Sequence, residues 1–367
     1  MAEPPGTLVD ANVVTVKADA GDQAPQPGGK GAIPTPHSLA GMLGRLGLGR
    51  YTGVVLLLAF IAIFSLWLPS TFPTSSTVKI ILSTQGVTAV LAIAVLFPLA
   101  AGSFDLSAAG TLGLTALVCG SLMSNAPHMS PLLAIALALL MAAGIGAFNG
   151  LLIAFVGVNS FIATLGTSSL LTAFLGLIDA GNYVGPFPSS FAKITSGTPL
   201  GIPIVAIYAL AIAVLAWYFL EHTPPGRRVY ATGANVDAAR LAGVRTRRYV
   251  FFSLVICGVI AGIAGILLAS SSSSIDETSG TSYLLPAYAA AFLATTQIKP
   301  GRFNVWGTML AIVVLGTGVQ GLQLAGAQVW VTDMFNGVAL IAAVSVSALL
   351  EHRRGRREKA RTAAAGT

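Results

Sequence analysis

Glu221–Tyr249 reads EHTPPGRRVYATGANVDAARLAGVRTRRY and is the longest polar stretch between apolar segments. It carries Arg227, Arg228, Arg240, Arg245, Arg247 and Arg248, six of the chain's 20 basic residues. Pro224 and Pro225 stop the helix before them, because proline lacks the donor and clashes with the preceding turn. Asn235-Val236-Asp237-Ala238-Ala239-Arg240-Leu241-Ala242-Gly243 has the pattern of a short helix. Asn235 or Asp237 can cap its start and Gly243 can end it. The island is therefore expected to hold a capped helix on a tether, at the water side of a membrane, shaped for docking into a partner. Val236, Ala239, Arg240 and Gly243 share one face by i, i+3, i+4, i+7 spacing. Small Ala239 would permit close approach there, and Arg240 could pair with a partner's acid. The plainer reading is a charged loop that only sets orientation.

Outward from the island the chain is apolar. Of 367 residues, 54% are hydrophobic and 9% charged, with a mean hydropathy of +0.81. Soluble domains carry about 25% charged residues, so a soluble fold is excluded. Apolar runs recur near the ~20 residues that span a bilayer, without the alternation of a membrane barrel. The reading is an all-α polytopic membrane bundle of ten spans, at 51–68, 78–100, 106–124, 131–156, 160–178, 202–220, 249–270, 284–297, 305–324 and 329–349. Breaks are expected near Pro98 and Pro286, where protein or a cavity must satisfy the freed backbone groups. Residues 1–37 are rich in Pro, Gly and Ala and read as a disordered tail. Residues 38–50 carry Leu39, Met42, Leu43 and Leu46 on one stripe, an interfacial helix. A transmembrane domain over 51–349 follows, with the island as its cytoplasmic loop, and then a basic tail at 350–367.

Ten spans put both termini on one side. With that side cytoplasmic, 18 of the 20 basic residues lie inside and only Lys79 and Lys193 lie outside. That matches the positive-inside bias and accounts for the net charge of +7 without a nucleic-acid partner. Asp179–Ile202 becomes an external loop with Tyr183, Phe187 and Phe191, suited to a lid or partner contact. Gly102-Ser103-Phe104-Asp105, followed by Gly110-Thr111, is echoed by Gly301-Arg302-Phe303-Asn304, followed by Gly307-Thr308. Both turns face inward, as a parallel internal repeat would place them.

Asp105 is the only acid in the first half of the membrane region. It either caps the third span or faces a pathway, as intramembrane acids do. Phe161, Thr164 and Thr167 open the fifth span among small and hydroxylated residues. These residues either pack helices or line a route for a hydrophilic solute, a choice shared by Asn149, Gln85, Gln320 and Asn336. There is no phosphate-binding G-x-x-x-x-G-K-[S/T] loop. His37, His128, His222 and His352 have no metal-ligand spacing, and Cys119 and Cys257 sit apart in apolar runs. No catalytic residue, metal or cofactor is expected.

Three stretches together carry a resemblance. GSFDLSAAG resembles the G-G-x-D-L-S-x-G segment of the ribose-type sugar ABC importer permeases. NSFIATLGT resembles their P-x-F-I-x-T-L-G-T segment. GRRVYATGANVDAARLAGVRTRRY resembles their cytoplasmic G-R-x-x-Y-A-x-G-x-N-x-x-A-A-R-L-x-G-I loop. The likeness covers about residues 75–350. It implies a ten-helix permease subunit that pairs with a second copy or a paralogue, two cytoplasmic ATP-binding subunits on the island helices, and an external solute-binding protein that delivers a sugar-like small molecule. The chain would then be a multi-pass protein among inner-membrane lipids, and ATP hydrolysis would belong to a partner. It departs from the family pattern at Gly102-Ser103-Phe104 and over Thr295–Arg302, both inward turns. Permeases for branched-chain amino acids or nucleosides share the architecture. A stand-alone carrier would place more ionisable residues at mid-membrane.

Overall fold

The computed structural model describes residues 51–125, 129–179, 181–272 and 274–346. The expected tail at 1–37, the interfacial helix at 38–50 and the basic tail at 350–367 lie outside the described residues. Among those described, seven helices are long and apolar enough to cross a membrane, and three shorter apolar helices join them. The chain order is α1 Thr52–Trp67, α2 Ser75–Ala100, α3 Ala108–Asn125, α4 Pro131–Leu151, α5 Ser160–Asp179, the single turn α6 Ser189–Ala192, α7 Ile204–Trp217, α8 Pro224–Ala234, α9 Val236–Leu241, α10 Thr246–Ser271, α11 Leu284–Ala294, α12 Val305–Leu324 and α13 Val329–Val346. Both α4 and α7 continue through a π-helical turn, Leu152–Val156 and Tyr218–His222.

The core forms around α2 and α10. Every residue from Gly86 to Ala100 is buried, as expected of a helix that is apolar on all sides. In α10 a Cβ at position 258 would lie 2.5 Å from the Ala142 carbonyl of α4, and one at 265 would lie 2.3 Å from the Leu112 carbonyl of α3. Small residues permit such backbone approach where apolar burial alone gives no drive between helices. By contrast α4, α5, α7 and α13 expose Leu140, Leu177, Leu215 and Ile341.

Neither expected break interrupts a span. Pro98 lies in the last turn of α2, and its carbonyl accepts from Ala101 N and Ser103 N. Pro286 lies in the first turn of α11, where its missing donor costs nothing. The eighth span, expected to reach 297, stops at Ala294. The Thr295 and Thr296 hydroxyls turn back to the Phe292 and Leu293 carbonyls, and Ile298 sits at φ 52°, which a helix does not accommodate. The segment expected as an external lid or partner contact is anchored on the chain itself at two points. Phe191 is fully buried, Ser270 donates to its carbonyl at 2.7 Å, and Val184 pairs with Ile275 through two backbone bonds. Only Tyr183 of its three aromatics stands exposed.

Candidate functional site

The island is two helices rather than a helix on a tether. Thr223 caps α8 through Gly226 N, and Pro224 and Pro225 occupy its first positions. Proline there is preorganised for a helix, so the two prolines both end α7 and begin α8. Asn235 then caps α9 by accepting from Ala238 N at 2.9 Å. Gly243 follows at φ +79°, the left-handed conformation that closes a helix. Of the expected face of α9, Val236, Arg240 and Gly243 are exposed and Ala239 is not. Ala239 is buried against the chain itself, and Arg240 donates to Thr246 at 3.2 Å while lying 3.8 Å from Asp237. Ala239 is therefore occupied within the subunit, whereas Arg240 keeps 55% of its side chain exposed. The outward side shows Val236, Asp237, Ala238 and Leu241, and Leu241 is 91% exposed. An apolar side chain so exposed on a polar island is the feature of α9 most suited to entering another protein.

The α8 helix is clamped between the turn before α3 and the turn before α12. Gly233 lies on the first: a Cβ there would be 2.2 Å from the Ala100 carbonyl and 2.9 Å from Gly102 N. Tyr230 reaches the second, donating to the Phe303 carbonyl at 2.8 Å. The Arg302 guanidinium stacks 3.5 Å above the Tyr230 ring, and Lys299 pairs with Glu221 at the end of α7. Burial pushes the Tyr230 phenol up to about 12, so it remains a donor at working pH. The turns themselves match. Gly102 and Gly301 hold φ of +81° and +77°. Asp105 Oδ1 accepts from Ser107 N at the start of α3, and Asn304 Oδ1 accepts from Gly307 N at the start of α12. Phe104 and Phe303 meet the α11 aromatics: Phe104 stacks on Tyr288 and Phe292, and Phe303 meets Phe292 edge-on.

Four of the five expected pathway residues form one buried network beside the first turn. Thr167 donates to Asn149 Oδ1 at 2.6 Å, Asn149 Nδ2 donates to Ser107 Oγ at 2.8 Å, and Ser107 donates to Asp105 Oδ1 at 2.6 Å. Thr164 accepts from Leu106 N at 3.1 Å, and Tyr288 accepts from Asp105 N at 3.1 Å. Together they tie α3, α4, α5 and α11. Phe161, the fifth, is 52% exposed in the first turn of α5 and takes no part in the network. The network reads as packing that holds the turn. Asp105→Asn should keep the bonds from Ser107 and lose little, about 1 kcal/mol or less. Asp105→Leu should strand the Ser107 N–H and O–H donors and cost about 1–3 kcal/mol per buried group. Thermal unfolding of the two purified variants checks this; equal stability would remove Asp105 from the turn's support.

The polar residues that do converge on a cavity lie at the opposite end of the bundle from the island. The cavity measures about 250 Å³. Gln85 and Thr88 enter from α2, Gln320 and Gln323 from the end of α12, and Asp333 and Asn336 from the start of α13. Gly316 makes room for Gln85, since a Cβ there would lie 2.4 Å from Gln85 Cγ. Amides and hydroxyls dominate the lining. Such a set offers many donors and acceptors with little charge, the chemistry that matches a polyhydroxylated neutral solute. Asp333, Gln323 and Thr332 were not singled out from the sequence. Their signal was present as polar residues at i, i+3 and i, i+1, i+4 in otherwise apolar helices.

A bundle of membrane-length helices with a polar cavity at one end and a clamped helical arm at the other has the build of a membrane permease subunit. The chain belongs to the branched-chain amino acid transport system / permease component family, whose model matches residues 77–344. It is 33% identical over 298 residues to the ribose import permease protein RbsC of Escherichia coli (strain K12), covering 80% of this chain and 92% of that one. The D-allose transport system permease protein AlsC of the same strain is 26% identical, with 82% and 92% covered. The autoinducer 2 import system permease protein LsrD of Yersinia enterocolitica is 31% identical, with 72% and 81% covered. No solved structure is a significant match.

Proposed function

We propose that this chain is the membrane-spanning subunit of an ABC importer for a sugar or sugar-like solute, in the inner membrane with both termini and the island cytoplasmic. Two such subunits enclose the route. An external binding protein delivers the solute to the cavity of Gln85, Gln320 and Asn336, and a separate ATPase docks on α9. The ribose, allose and autoinducer 2 relatives support a sugar-like solute over an amino acid, as does a lining of amides and hydroxyls. The observation that carries the reading is the clamp of α8: any movement of α9 by a partner moves α8, which bears on both inward turns at once.

The test is reconstitution in proteoliposomes with the ATPase and binding protein of the same importer. Uptake of ribose, D-allose or autoinducer 2, dependent on ATP, is the expected result, and uptake of leucine alone would overturn the solute class. Leu241→Asp should leave insertion unchanged, because the residue is solvent-exposed. It should weaken ATPase co-purification about tenfold or more, the scale of losing a buried apolar anchor. Undiminished co-purification would remove α9 as the docking element.

A further inference from the structure

A second cavity, of about 740 Å³, lies between α8, the loop that follows α9, and the membrane helices. Its rim holds Arg228, Arg245 and Arg248, and no carboxylate lines it among the described residues. Arg228 is set by a 2.9 Å bond to the Tyr249 hydroxyl. Beside Tyr249 and Ser253, apolar side chains line the rest: Phe97 of α2, Phe219 after α7, and Phe252 and Ile256 of α10. Phe252 is 56% exposed on a membrane-length helix, and Tyr218 at the end of α7 is 59% exposed. Exposed aromatics at helix ends mark the headgroup level of a bilayer. Three cations at that level, above an apolar pocket, fit a ligand with an anionic head and a hydrocarbon body.

We propose that this cavity seats an anionic phospholipid of the leaflet on the island side, its phosphate between the three arginines and its first acyl carbons against Phe97, Phe219 and Phe252. Arg240 ties α9 to Thr246 at the start of α10, so a lipid held by Arg245 and Arg248 stiffens the mount of α9. Coupling to the ATPase then depends on anionic lipid. That last step rests on the importer reading; the binding step does not.

The experiment uses the purified full-length chain and native mass spectrometry with phosphatidylglycerol, phosphatidylcholine or inorganic phosphate. Phosphatidylglycerol should be retained in preference to the zwitterionic lipid. Arg245→Gln combined with Arg248→Gln should weaken it about thirty-fold, at about one decade per 1.4 kcal/mol and roughly 1 kcal/mol per arginine. Arg227→Gln combined with Arg247→Gln removes the same charge from outside the cavity and should change it little. Equal loss in both pairs would reduce the effect to diffuse attraction by the island and overturn the site. Binding of inorganic phosphate as tight as the lipid would make the ligand a soluble anion, and no preference for phosphatidylglycerol would also overturn it. Retention of the lipid site alongside external cysteine labelling of Ala231 in intact cells would sink the proposed orientation alone.

Discussion

Gly233→Ala is expected to leave the chain folded and inserted yet cut solute-stimulated ATP hydrolysis in the assembled importer about tenfold or more. Two effects of the added methyl run in opposite directions. Alanine favours the helix over glycine by about 1 kcal/mol, so α8 alone gains. The same methyl would fall 2.2 Å from the Ala100 carbonyl, a backbone atom that cannot swing aside. Relief requires α8 to lift from the first turn, at a cost of about 1–3 kcal/mol for overpacking, and one decade corresponds to 1.4 kcal/mol. Basal hydrolysis and co-purification should stay near normal because α9 is untouched. Stimulated hydrolysis at the wild-type level would show that the contact between α8 and the turn transmits nothing. Tyr230→Phe, which removes the hydroxyl that bonds the Phe303 carbonyl, should give a weaker defect of the same kind.

The second large effect concerns the cavity of Gln85, Gln320 and Asn336. Gln320→Leu combined with Asn336→Leu should lower uptake about tenfold or more, with normal membrane levels. Both side chains are almost fully buried, and leucine suits a membrane interior, so the fold should tolerate the change. A hydroxylated solute would then meet apolar groups where amides stood and lose hydrogen bonds of about 1–3 kcal/mol each. Uptake measured against binding-protein docking separates this from an assembly defect: docking should persist. Wild-type uptake would move the route elsewhere. Thr164→Val and Thr167→Val should act differently. Thr167→Val leaves Asn149 Oδ1 without its donor and should lower thermal stability before it lowers transport.

The helical class and its membrane setting follow from the sequence alone. Nine per cent charge cannot cover a soluble surface, and runs near bilayer length leave helices as the way to satisfy the backbone. The caps were equally legible, because capping is local: Asn235 and Gly243 perform the roles their positions imply. So was the pairing of the two Gly-x-Phe-Asx turns, whose glycines share a left-handed φ. Which face of α9 is free was decided only by the tertiary structure. Helical spacing places Ala239 on a face but cannot say that the face meets the chain's own α8–α10 packing. The polar residues divided in the same way. Asn149, Gln320 and Asn336 are alike in sequence, each an amide in an apolar run. Packing sends Asn149 into the network of Asp105 and the other two into a cavity, because only the arrangement of α2, α12 and α13 brings partners 85, 320 and 336 to one place across more than 200 residues of chain.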